Sequence, residues 1–139
     1  ACFKFADAIR KGEAIEVFNR GDMQRDFTYI DDIVEGIVRV MDVPLPKNSN
    51  DPPYQLFNIG NNNPVQLTEF IDTLIDALGN NSEVKRELKP MQPGDVKCTS
   101  ADIDKLNRRV GYRPTTTLKD GLQAFAQWFK EYRRSSGSV

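Results

Sequence analysis

Histidine is absent from this chain, and that absence alone removes Ser-His and Cys-His nucleophile pairs and every His-ligated zinc pattern. Cysteine is scarce. Cys2 and Cys98 stand far apart with no Cys-x-x-Cys spacing, which reads as two free thiols and not as a disulfide or a metal site. Long apolar runs are missing because charge interrupts them every few residues, so no segment is suited to span a bilayer. The first residues, Ala1-Cys2-Phe3-Lys4-Phe5, lack a basic leader followed by an apolar block, so the expected location is cytoplasmic. An excess of either charge is missing too. The 19 basic and 20 acidic residues give a net charge of −1, which offers no field for nucleic acid. The short clusters at 85–89, Arg108-Arg109 and Arg133-Arg134 read as solvated helix ends and strand faces.

What is present suits one domain with a modest core: 139 residues, 39% hydrophobic and 28% charged. Residues 1–134 read as that domain and 135–139 as a polar tail. Periodicity predicts a helix over Phe3–Arg10 closed by Lys11-Gly12, and strands over Ala14–Phe18 and Asp26–Ile30. Asp31-Asp32 opens a helix in which Ile33, Val34, Ile37, Val38 and Met41 recur at helical spacing. A proline-rich loop follows over Val43–Pro53, then an apolar strand over Tyr54–Gly60 of the kind covered on both faces. That strand has only short, edge-like neighbours here, which suits it to a sheet supplied by other sequence. A helix over Leu67–Leu78 ends at Gly79, and short strands are expected at Val84–Leu88 and Val96–Thr99. Capping-box spacing at Thr99–Asp102 and Thr117–Asp120 predicts two more helices, over Ala101–Val110 and from Thr117 onward. The last carries Leu118, Leu122, Phe125, Phe129 and Tyr132 as one stripe, with Trp128 at its edge. The alternation makes the chain α/β, with short strands and about five helices.

Among residues that could carry chemistry, Arg25 stands between Gln24 and Asp26 just ahead of an apolar run. A guanidinium offers donors in a fixed fork that matches phosphate oxygens, although a lone arginine at a strand start is more often a surface ion-pair former. The context favours the first reading. Gln24-Arg25-Asp26-Phe27-Thr28-Tyr29-Ile30-Asp31-Asp32-Ile33 resembles a strip of the extended short-chain dehydrogenase/reductase family, the NAD-dependent nucleotide-sugar epimerases and dehydratases. Pro93-Gly94-Asp95 followed by Ala101-Asp102 is similar to a second family segment, so the resemblance runs along nearly the whole chain. Met91-Gln92-Pro93-Gly94-Asp95-Val96 brings it nearest to the UDP-glucuronate 4-epimerases.

The resemblance implies the carboxy-terminal, substrate-binding part of an extended Rossmann-type epimerase. It assigns Arg25 to the pyrophosphate of a UDP-sugar or dTDP-sugar, Asp95 to the ribose and Phe18 to the base. Gln92 falls near the phosphates, where several relatives carry arginine. Read from residues alone, Asp95 is equally a turn residue after glycine, and Phe18 a core aromatic. The assignment requires Arg25 to face the Pro93-Gly94-Asp95 loop and not to be buried against a carboxylate.

The family's catalytic parts do not appear. No Gly-x-x-Gly-x-x-Gly exists to hold NAD. The family's base is a tyrosine with lysine four residues on, whereas Tyr29, Tyr54, Tyr112 and Tyr132 are followed there by Ile33, Asn58, Thr116 and Ser136. No catalytic residue is therefore expected, and NAD would belong to a Rossmann half outside this sequence. The alternative is a non-catalytic nucleotide- or partner-binding module of the same ancestry. A reading frame continuing upstream of Ala1 into a glycine-rich start favours the enzyme portion, and a start codon near Ala1 the module.

Overall fold

The computed structural model describes residues 2–44, 52, 54–80 and 82–136. Among the described residues five helices and four three-residue strands follow one another: α1 Cys2–Lys11, β1 Ile15–Val17, β2 Gln24–Asp26, α2 Ile30–Met41, β3 Pro64–Gln66, α3 Leu67–Leu78, β4 Arg86–Leu88, α4 Asp104–Val110 and α5 Leu118–Ser136. A 3-10 turn over Phe18–Gly21 separates β1 from β2. The strands form two small sheets. β1 runs parallel to β4 (Ile15 opposite Arg86), and β2 runs antiparallel to β3 (Gln24 opposite Gln66, Asp26 opposite Pro64). The main core joins Ile9 of α1, Ile15 and Val17 of β1, Met23, the inner face of α3 (Leu67, Phe70, Ile71, Leu74) and Leu122 of α5. A second cluster holds Ile103, Leu106 and Tyr112, with Phe57 and Ile59 against it. Among the described residues no helix is long and apolar enough to cross a membrane.

The helices match their periodicity, and the exceptions have local causes. β2 occupies Gln24–Asp26 instead of Asp26–Ile30, because its ladder ends opposite Pro64, which has no N–H to give. Phe27 then stacks on Phe70, with centroids 4.2 Å apart, and α2 begins at Ile30. The strand expected over Tyr54–Gly60 makes no ladder among the described residues. Its carbonyls go elsewhere: Lys105 Nζ donates to Leu56 O at 2.7 Å and Tyr112 Oη to Gly60 O at 3.2 Å. Val96–Thr99 reduces to one parallel bridge, Gln24 to Cys98. The capping box forms at Thr117, whose Oγ1 accepts the Asp120 amide at 3.1 Å, but not at Thr99. There Asp26 N donates to Thr99 Oγ1, and α4 starts three residues later than expected, with Asp102 Oδ1 accepting the Asp104 amide. α5 continues to Ser136, because Arg133 is tied to Asp7 of α1. The loop expected over 43–53 and the end of the tail lie largely outside the described residues.

α2 presents an unusual face to the rest of the chain. Its buried positions are Asp32 and Gly36, with Ile33 and Val40 half-buried beside them and Val40 packed on the second cluster, while most of its apolar stripe lies elsewhere. A Cβ at Gly36 would stand 3.0 Å from both Ile59 Cγ2 and Tyr112 Cε2. Arg39 Nη1 donates to Gly111 O at 2.7 Å, and the Asp32 carboxylate accepts the amides of Thr115 and Thr116 at 3.1 Å each. Of the expected stripe, Val34, Ile37, Val38 and Met41 are exposed, joined by Ile30, whereas Ile33 is half-buried.

Burial of Asp32 opposes its ionisation, but the Thr115 and Thr116 amides outweigh this and hold its carboxyl below its ordinary 3.8. A depressed carboxyl contributes stability that is present above the unfolded value and is lost as pH falls through the folded one. Asp32→Asn should therefore flatten the acid limb of the stability profile. Urea melts at a series of pH values below 5 check this, and an acid limb as steep as that of the parent would exclude it.

Candidate functional site

The site grows from β2, the middle of a small three-part platform. β3 flanks it on one edge. On the other, Gln24 N donates to Lys97 O at 2.8 Å and Thr99 N to Gln24 O at 3.2 Å. These bonds bring the segment after Pro93-Gly94-Asp95 alongside Arg25. The neighbouring Asp26 locks the platform together. Its carboxylate accepts three backbone amides, those of Asn62 at 3.0 Å, Asn63 at 3.2 Å and Ala101 at 2.9 Å. One acidic side chain thus clamps the 60–63 turn and the 99–101 segment to the strand that carries Arg25.

Arg25 is held at both ends of its fork. Nη1 donates to Gln24 O at 2.8 Å and to Lys97 O at 3.4 Å, and Nη2 donates to Asp95 Oδ1 at 2.6 Å. Three of its five donors are engaged and two are left for an anion. The side chain is 23% exposed, so the charge is partly desolvated yet reachable. Arg25 therefore faces the Pro93-Gly94-Asp95 loop, as the assignment requires. It is also half-buried against a carboxylate, the outcome that counts against a phosphate role; that carboxylate is Asp95, one of the three other residues the resemblance assigns to the substrate.

Phe18 joins them. It opens the 3-10 turn after β1, where Asn19 and Arg20 take left-handed φ values of 48° and 54° and Gly21 one of 85°. Gly21 is needed there, because a Cβ would also stand 3.0 Å from Thr68 Cγ2. A cavity of about 360 Å³ is lined by Phe18, Arg25 and Asp95 together with Glu16, Asp26 and Thr99 and an apolar wall that includes Phe27 and Leu67. Gln92 does not line it. Its side chain is exposed and its carbonyl accepts the Asp95 amide at 3.2 Å, closing the turn that presents Asp95.

Sequence reasoning missed Asp26 and Thr99. The only signal was that both lie inside the two quoted segments, and nothing local showed that the two meet. Each carboxylate of the cavity has a partner: Asp26 accepts three amides, Asp95 is paired with Arg25, and Glu16 lies 3.8 Å from Lys89 Nζ. Among the described residues no cluster of His, Cys, Asp or Glu could hold a metal ion.

The family model described as GDP-mannose 4,6 dehydratase matches residues 2–125. Protein CapI of Staphylococcus aureus is 43% identical over 143 residues, covering 95% of this chain and 42% of the relative. A probable UDP-glucuronate 4-epimerase of Rhizobium meliloti is 38% identical over 152 residues, covering 100% of this chain and 44% of the relative. The crystal structure of UDP-glucuronic acid 4-epimerase from Bacillus cereus in complex with UDP-glucuronic acid and NAD superposes with a TM-score of 0.80 at 27% identity, covering 95% of this chain and 40% of that one. The chain spans less than half the length of the curated relatives it matches. It belongs to the GDP-mannose 4,6 dehydratase family of extended short-chain dehydrogenases/reductases and corresponds to the carboxy-terminal part of its nucleotide-sugar epimerases.

Proposed function

We propose that this chain is the UDP-sugar-binding portion of an NAD-dependent nucleotide-sugar epimerase, with UDP-glucuronate as substrate and no catalysis of its own. The observation that carries the reading is the Arg25–Asp95 pair lining one cavity with Phe18. Arg25 takes the pyrophosphate with its two uncommitted donors, Phe18 offers a ring to the uracil, and Asp95 turns from Arg25 to the ribose hydroxyls when the phosphates arrive. Gln92 serves through its carbonyl, as a support of Asp95.

NAD, when bound, supplies the hydride acceptor and donor that inversion at a carbinol carbon requires. It would be held by the remainder of the protein, since this sequence has no glycine-rich dinucleotide turn and none of its tyrosines carries the lysine partner. The outward stripe of α2 and the unpaired run over 54–59 suit packing against that remainder, which would supply the sheet partners the run lacks here.

With the amino-terminal half restored, Arg25→Ala should weaken UDP and UDP-glucuronate binding by roughly 1.5–3 kcal/mol, the value of a charge-assisted contact. Titration calorimetry reads this directly. An affinity equal to that of the parent would sink the role given to Arg25.

A further inference from the structure

A second cavity, of about 460 Å³, shares no residue with the one around Arg25. Its apolar lining comes from Ile9, Leu78 and Phe129, and its charged lining is Arg10, Lys130, Arg133 and Arg134, with no carboxylate among the lining residues. Asp7 of α1 is the acid paired with two of these arginines. It is already shared by three cations: Arg10 at 3.3 Å, Lys11 at 2.9 Å and Arg133 at 2.5 Å. One negative charge cannot neutralise them. Basic residues do suit helix carboxy-termini, and α1 and α5 both end here. That explains exposed lysines and arginines, but not the setting of Arg133. Its guanidinium lies over the rings of Phe3 and Phe129, 5.1 and 5.4 Å from their centroids, which fixes the fork in place. Its Nε is a buried donor without a hydrogen-bond partner among the described residues.

We propose that this cavity is an anion site of its own, taking a small molecule that carries a phosphate or a carboxylate on an apolar body. The cations meet the charge, and Ile9, Leu78 and Phe129 receive the body. Phenyl phosphate and benzoate are the probes that separate the two headgroups, and inorganic phosphate is the probe without a body. Calorimetric titration of the 139-residue chain should show at least one of the two aromatic anions binding more tightly than inorganic phosphate. The double variant Lys130→Glu, Arg134→Glu changes two exposed side chains and should weaken that binding at least about tenfold. Arg25→Ala should leave it in place. Circular dichroism confirms that both variants are folded. Absence of binding by both aromatic anions overturns the proposal, as does inorganic phosphate binding equally well or a double variant that binds like the parent. Binding lost only in Arg25→Ala assigns the anions to the other cavity and overturns it too. The test stands apart from the epimerase reading, whose failure would leave this site untouched.

Discussion

Gly60→Ala should be among the most damaging single-methyl additions in this chain, costing about 3 kcal/mol or more. The added Cβ would lie 2.3 Å from Ala101 Cβ and 3.2 Å from Asp26 Oδ2. The first contact is between two atoms fixed to backbone, so no side-chain rotation relieves it. Either the 60–63 turn or the 99–101 segment must move, and both are held by the one Asp26 carboxylate. The clash therefore breaks bonds to Asp26 in addition to its own repulsion, and the Tyr112 bond to Gly60 O is strained with them. Gly12→Ala separates steric from backbone cost. Gly12 has φ 71° but nothing within 4 Å of an added Cβ, so only the left-handed penalty of about 1–2 kcal/mol applies. Urea unfolding of both variants checks the ranking. A Gly60→Ala loss under about 1 kcal/mol, or one no larger than that of Gly12→Ala, would mean that the packing around Ala101 is looser than this geometry. Because β2 carries Arg25, Gly60→Ala should also weaken the nucleotide binding proposed for Arg25 once the amino-terminal half is restored.

The same neighbourhood shows where sequence is legible and where it is not. Arg25 is singled out by the resemblance of the segment around it, since a lone guanidinium at a strand start reads first as a surface ion-pair former. Asp26, its neighbour, is not, because its work depends on loops 36 and 75 residues away converging on it. Asp32 reads as a first-turn carboxylate suited to the helix dipole, and it is one. Its larger task, holding the Thr115 and Thr116 amides, has no local trace. α3 and α5 were legible because an apolar stripe and a partner face occur in the same chain. The capping box at Thr117 was legible because its parts lie three residues apart. The same spacing at Thr99 was misleading, since a tertiary donor, Asp26 N, takes the hydroxyl oxygen first. The run over 54–59 has the residues of a buried strand, but a strand exists only in a ladder, and none forms for it here. A hydrophobic period establishes a helix; it does not say which body the helix faces.

That distinction sets the expectation for α2. Ile30, Val34, Ile37, Val38 and Met41 are 47–78% exposed and lie along one side of the helix at steps of three and four residues. Tyr54 and Leu56 add 60% and 75% exposed side chains in the chain beyond it. A large apolar side chain gains about 1.5–3 kcal/mol when fully buried. Even after the several kilocalories lost in association, a stripe of five such residues supports pairing. The isolated chain should therefore self-associate, eluting ahead of its 15.8 kDa monomer. Ile37→Glu combined with Met41→Lys should weaken that association by about 100-fold, because each copy must bury charge at the centre of the face. Both positions point away from the described core, so the melting temperature of the diluted monomer should move little. Size-exclusion chromatography with light scattering, run across concentration, measures the first effect, and calorimetry the second. A parent chain that stays monomeric at high concentration would show the stripe to be too dispersed to act as one surface. A double variant that unfolds would show instead that Ile37 or Met41 supports this core, beyond the contacts of Asp32, Gly36 and Val40.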